Sequence, residues 1–163
     1  MDVTELDLPT LAMLAGTETS RLLLSRLAEE GFPGVRRSHG YVFQRLVAGE
    51  PTIGELAAAL GITQQGASKQ VRELEALGYV ERVTAAADAR ARTVRITPRG
   101  HAAMETGRRL QRELEAQVEA ALAGAAADGE SAVAAAKRAL AAMLEVTGTL
   151  DRVATRSFPA PTD

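Results

Sequence analysis

The strongest constraint on the fold lies between Leu60 and Pro98, where a helical period changes at a glycine into a strand period. Ala67, Val71, Leu74 and Gly78 recur at i, i+4, i+7 and i+11, so one face of a helix is apolar or small. Gln64, Gln65, Ser68, Lys69 and Arg72 fall on the opposite face. Thr63 stands where a hydroxyl satisfies a free amide of the first turn. Gly61-Ile62 supplies a tight turn before the helix, and Gly78 a left-handed stop after it. A strand is expected from Tyr79 to Val83, a loop from Thr84 to Ala91, and a second strand from about Arg92 to Thr97. In that second strand Val94 and Ile96 point one way, Thr93 and Arg95 the other. A helix that runs straight into a two-stranded ribbon with a charged loop reads as a winged helix-turn-helix.

The polar helix face carries amide, hydroxyl and cationic groups, the side chains that pair with base edges and phosphates. Gln64 and Gln65 suit adenine through bidentate contacts, and Ser68 accepts any base. Lys69 and Arg72 suit phosphates, with guanine a further option for Lys69. From Arg82 to Arg99 there are five arginines against one acid, Asp88. A solvated hairpin charged for solubility is the plainer account of that ribbon. Clustering beside a polar helix face favours the DNA-reading account. Gly66 near the start of the helix costs about 1 kcal/mol relative to alanine. Close backbone approach to DNA and simple drift at an exposed site both explain it.

These residues resemble the MarR (multiple antibiotic resistance regulator) family of dimeric transcription factors. The likeness is carried by ELAAALGITQQGASKQVRELEALGYVERV, by the wing motif Asp88-Ala89-Arg90, and by Val94-Arg95-Ile96-Thr97-Pro98-Arg99-Gly100 leading into a long helix. It covers Ser38 to about Gly124; the flanking helices match in layout more than in residues. The resemblance implies that Arg90 enters the minor groove and that Asp88 holds it. Arg92 and Arg95 are expected on phosphates. A narrow A·T-rich groove has an enhanced negative potential that attracts such an arginine. The alanines at 85–87, 89 and 91 leave this wing less charged than in many relatives. The resemblance also implies repression relieved by a small aromatic or anionic ligand, bound between the dimer helices and the DNA lobe. Arg21, Arg36, His39 and Tyr41 are candidates to line such a cleft, with core or surface roles as the alternative for each.

The overall fold expected is mainly α with a small antiparallel β-wing, a winged helix-turn-helix flanked by N- and C-terminal dimerisation helices. Residues 1–34 form an N-terminal dimerisation helix, with 1–7 frayed and the helix from Leu8 or Pro9 to Glu30. Its Leu22-Leu23-Leu24 run makes a wide apolar face. Burial on a partner subunit and burial in a plain core both account for that face; the resemblance favours the partner. Residues 35–100 form the DNA-binding lobe. There Ser38 caps a helix from His39 to Ala48, and Thr52 caps the first helix of the pair, Ile53 to Leu60. Residues 101–156 hold the C-terminal dimerisation helices. The first begins at the Thr97 cap and runs from about Arg99 to Ala123. The second, about Glu130 to Ala154, carries a heptad-like seam through Val133, Ala136, Leu140, Met143, Thr147 and Leu150. Residues 157–163 form a disordered tail.

Composition sets limits. Of the 163 residues, 46% are hydrophobic, but many are alanine and only two Tyr and three Phe are aromatic, so a monomer has a thin core. The chain has no cysteine, which excludes disulfides, thiol redox sensing and zinc-thiolate sites. No apolar run approaches the roughly 18 residues that span a membrane. The N-terminus has no secretory pattern, so a cytoplasmic location is the default. Net charge is −2, yet Val35 to Gly100 holds ten Lys/Arg against six Asp/Glu, a net of +4 that leaves −6 elsewhere. A basic centre between acidic ends suits docking on DNA by one face. His39 and His101 have no matched nucleophile or metal partner, and no phosphate-cradling glycine loop occurs. An enzyme, a metal site and a cofactor are therefore not expected. The partners expected are double-stranded DNA with a pseudo-palindromic operator and a second copy of the chain. The alternative is a winged-helix protein-interaction module without DNA binding.

Overall fold

The computed structural model describes residues 2–84, 92–122 and 131–149. Six helices surround one two-stranded antiparallel sheet: α1 (Leu8–Glu29), α2 (Arg37–Leu46), α3 (Ile53–Leu60), α4 (Gln64–Ala76), β1 (Val80–Thr84), β2 (Arg92–Ile96), α5 (Pro98–Ala121) and α6 (Ala132–Val146). This is the winged helix-turn-helix arrangement with a helix before it and two after it.

Local chemistry sets most boundaries. Thr52 caps α3 in a full box: its hydroxyl accepts from the Glu55 amide at 3.2 Å, and the Glu55 carboxylate accepts from the Thr52 amide at 2.7 Å. Gly61, expected only as part of a tight turn, ends α3 at a left-handed φ of +65°, and Gly78 follows α4 at φ +76°, left-handed as expected. Thr63 caps α4 through the Gly66 amide, and Thr97 caps α5 through the Gly100 amide, each at 3.1 Å.

Several expectations are corrected. Residues 2–7 hold a single 3-10 turn, Val3–Glu5, closed by the Asp2 carboxylate on the Thr4 amide at 2.9 Å. Ser38 does not cap α2. The helix starts two residues earlier than expected, at Arg37, with Arg36 extended at the cap position, and the first turn is closed from inside when His39 Nδ1 accepts from the Arg36 amide at 3.2 Å. Nor does β2 alternate as expected, because Thr93 is buried along with Val94 and Ile96. The segment entering α3 lies along the strand's far edge: Thr52 bridges Thr93, and the Val94 amide donates to the Pro51 carbonyl at 2.9 Å. Alternation fails where a strand is covered on an edge as well as a face.

The core belongs to the lobe. Val42, Phe43 and Leu46 of α2 pack with Leu56, Ala57 and Leu60 of α3, Val71 and Leu74 of α4, and Val80, Val94 and Ile96 of the sheet. Ala57 is 3% exposed and lies in this core, on the helix that packs against α4. By contrast, α1 buries only Leu27, and Leu8, Met13, Leu14 and Leu22 stay exposed in the single chain. α1 lies along α5, where Arg109 bridges Glu30 at 2.6 Å and Glu113 at 2.7 Å. α6 touches α5 and is capped by Ser131; of its expected seam, Val133 is buried, Leu140 is 46% exposed, and Leu150 lies outside the described residues. Among the described residues, no helix is long and apolar enough to cross a membrane.

Candidate nucleic-acid interface

The reading helix α4 buries Ala67, Val71 and Leu74 and turns its polar residues outward. Gln65, Lys69 and Arg72 are exposed on successive turns of that outer face, and Thr63 and Gln64 are exposed at its N-terminal end. Ser68 is half-buried on the flank. Gln64 leans toward the head of α3, its Nε2 3.4 Å from where a side chain on Gly54 would begin. The sequence pattern thus separates into an outer triad and a flank that braces the helix pair.

The ribbon arginines are more engaged than their spacing implied. Arg95 on β2 donates to Glu81 on β1 at 2.9 Å, a cross-strand ion pair with both side chains about half-exposed. Arg82 faces Glu75 at the end of α4 at 3.4 Å. Arg99, though exposed, is engaged on the lobe itself: its guanidinium lies 5.5 Å from the Phe32 ring centroid and 5.2 Å from that of Tyr79, and donates to the Gly31 carbonyl at 2.8 Å. Tyr79 completes that corner, its hydroxyl donating to the Pro33 carbonyl at 2.9 Å, and burial raises its pKa. Arg92 is exposed at the start of β2. Asp88 and Arg90 lie outside the described residues.

Of the four residues singled out for a ligand cleft, Arg36 and His39 come together, at Glu73. Arg21 is exposed and paired with Glu18 at 2.7 Å on its own helix. Arg36 reaches the reading helix, donating to Glu73 at 3.1 Å. His39 is 0% exposed and spends both ring nitrogens on protein partners, the second on Glu73 at 3.2 Å. Burial pushes the His39 pKa below the ordinary histidine value, against the pull of the Glu73 carboxylate. The Glu73 carboxyl is in turn held below its usual range, first by His39 and then, against some burial, by Arg36 and Lys69. Tyr41 lines a shallow depression with Arg37, Gly40 and Gln44. A larger cavity, about 420 Å³, opens instead between α1, α2 and α5. Leu27, Phe43 and Met104 give it apolar walls, while Gln44, Arg108 and Gln111 bring polar groups to it. Sequence reasoning missed these three polar residues because they lie on two helices more than 60 positions apart, and nothing local joins them. Glu73 was also missed, although a lone acid beside Lys69 and Arg72 on a cationic helix face is a legible signal.

Residues 34–91 match the family model described as the MarR family, and over those residues the lobe is similar to that family. No curated protein sequence matches the chain. Among solved structures, the chain is similar to MepR of Staphylococcus aureus, described as a transcription regulator of the multidrug efflux pump MepA. The two are 20% identical with a TM-score of 0.63, over 87% of this chain and 99% of that one. A MepR point mutant bound to an oligodeoxyribonucleotide matches at 21% identity and TM-score 0.58, over 88% of this chain and 99% of the other. Apo MarR of Escherichia coli matches at 21% identity and TM-score 0.60, over 85% and 97%. At these identities the likeness is one of fold: a winged lobe with its flanking helices.

Proposed function

We propose that the chain is a dimeric, sequence-specific DNA-binding transcriptional regulator, a repressor released by a small ligand. The observation that carries this reading is the outer face of α4, where Gln65, Lys69 and Arg72 stand exposed beside the ribbon. Amide and cationic groups on one helix face match the edges and phosphates of a major groove. In this reading Thr63, Gln64, Gln65 and Ser68 address bases, and Lys69, Arg72, Arg92 and Arg95 address phosphates. Arg95 reaches them by leaving Glu81, and Arg90, held by Asp88, enters the minor groove. MepR has been seen bound to DNA, and the shared fold supports the same use here.

The exposed apolar side chains of α1, together with Val118 of α5 and Leu140 of α6, support a second copy as the natural cover for the flanking helices. A two-fold dimer would set two reading helices about one DNA turn apart, hence a pseudo-palindromic operator. The cavity between α1, α2 and α5 suits a small aromatic or anionic effector, with apolar walls for a ring and Arg108 for a negative charge. In this reading the protein works in the cytoplasm.

One observation favours the alternative of a protein-interaction module. Arg36, Arg82 and Arg95 are all paired with acids, which lowers the free charge facing a phosphate backbone. Selection of bound fragments from genomic DNA, with wild type and Arg90→Ala side by side, decides between the two. A short inverted repeat recovered by the wild type and weakened in the variant supports the regulator. No enriched site from a folded dimer supports the module.

A further inference from the structure

The cluster of His39, Glu73 and Arg36 has no part in the base or phosphate contacts proposed above, yet three hydrogen bonds tie it together around a fully buried ring. His39 Nδ1 accepts from the Arg36 amide at 3.2 Å, so the ring proton sits on Nε2, which donates to the Glu73 carboxylate at 3.2 Å. The same carboxylate oxygen accepts from the Arg36 guanidinium at 3.1 Å. Glu73 stands next to Arg72 and one turn after Lys69, on the flank of α4 that turns toward α2. α2, through Gly40, Phe43 and Gln44, is also a wall of the 420 Å³ cavity. One buried ring therefore joins the head of the cavity-lining helix to the last turn of the reading helix.

We propose that His39 and Glu73 are positioning residues that hold the reading helix at the angle DNA requires, and that they do so only while His39 is neutral. This rests on the DNA-reading function proposed above. An imidazolium carries a proton on both nitrogens. Its Nδ1–H would then point at the Arg36 N–H, donor against donor, at a ring that is itself fully buried. The attraction to Glu73 grows on protonation, but the first turn of α2 must open to relieve the clash, and the two helices are no longer held in one geometry. The charged groups acting on the ring are Glu73 from α4 and Arg36 at the head of α2, with Lys69 acting on the carboxylate. Burial depresses the His39 pKa in the folded lobe. The clamp's contribution is therefore full above the unfolded value, about 6.5, and is lost as pH falls through the folded value.

Two of its consequences run against ordinary electrostatics. Acidification makes a protein more cationic, which by itself tightens DNA binding, and so does removal of an acid beside the DNA face. The clamp reverses both signs. The test uses the full chain and a duplex recovered by the wild type from a randomised library, with affinity read by fluorescence anisotropy at fixed ionic strength. Wild-type affinity should weaken as pH is lowered from about 7.5 through the folded His39 value. His39→Gln, which keeps a donor for Glu73 and cannot titrate, should lose that dependence. Glu73→Gln, checked as folded by circular dichroism, should bind several-fold more weakly at about pH 7.5. The chain has two histidines, so in a His101→Gln background ¹⁵N NMR reads His39 alone, and it should show the Nε2–H tautomer. Tighter binding at low pH, tighter binding by Glu73→Gln, or the Nδ1–H tautomer would each overturn the proposal. Failure of the wild type to bind any duplex at about pH 7.5 would remove the DNA reading, and the positioning role with it. The tautomer would still report whether the clamp exists.

Discussion

Gly100→Ala should destabilise the lobe by about 2–3 kcal/mol, although alanine is the better helix former by about 1 kcal/mol. Gly100 lies in the first turn of α5, buried where that helix springs from the sheet. A Cβ there would stand 2.1 Å from the Tyr79 carbonyl oxygen and 2.6 Å from Ile96 Cγ2. A backbone carbonyl cannot swing aside as a side-chain tip can, so the head of α5 must retreat. Overpacking of this kind costs about 1–3 kcal/mol. The retreat also stretches the Thr97 amide's bond to the Tyr79 carbonyl at 3.1 Å and the Thr97 hydroxyl's bond to the Gly78 carbonyl at 2.7 Å. Each is worth about 0.5–1.5 kcal/mol net, and the propensity gain offsets only part of the sum. Gly107→Ala in the same helix is the control, because a Cβ there meets nothing within 4 Å. It should stabilise by up to about 1 kcal/mol. Urea unfolding followed by circular dichroism, at one protein concentration since association adds to apparent stability, separates the two. Equal midpoints for the two variants would refute the reasoning.

Three further outcomes are expected. Tyr79→Phe removes the hydroxyl bond to Pro33 and should cost about 1 kcal/mol in urea unfolding, with the lobe otherwise intact. Arg72→Ala should weaken binding about equally for all duplexes and reduce the slope of log affinity against log salt by about 1; a change confined to one base position would make Arg72 a base reader instead. Leu14→Arg places a charge on the exposed apolar face of α1 and should shift sedimentation velocity from dimer toward monomer, while the monomer's near-ultraviolet circular dichroism shows the lobe still packed.

The elements of the lobe were legible because their signals are local. Thr52, Thr63 and Thr97 cap as their positions imply, and Gly61 and Gly78 stop helices where the apolar period ends. Ser38 misled because a good capping residue lost to a histidine that closes the turn from within, a choice made by burial against α4 rather than by the α2 sequence. Thr93 misled because the chain before α3 covers it, a contact across about 40 residues that no period encodes. In the candidate site, the outer face of α4 followed directly from helical geometry. The pairing of Arg82 and Arg95 with acids, and the stacking of Arg99 on Phe32 and Tyr79, did not. Counting charges along a chain gives their number, whereas their availability depends on which acids and rings the fold sets beside them.

The seam formed by Pro51, Thr52, Thr93 and Val94 makes the ribbon and the helix pair a single mechanical part. The strand that carries the inner side of the wing is stitched to the segment that starts α3, and α3 is packed on α4. A torque applied to any one of them is therefore delivered to all three, so the distance from reading helix to ribbon base works as a fixed gauge. On the dimeric reading proposed above, an effector would act by moving one copy's unit relative to the other's, in the way a caliper is set by moving its jaws without bending them.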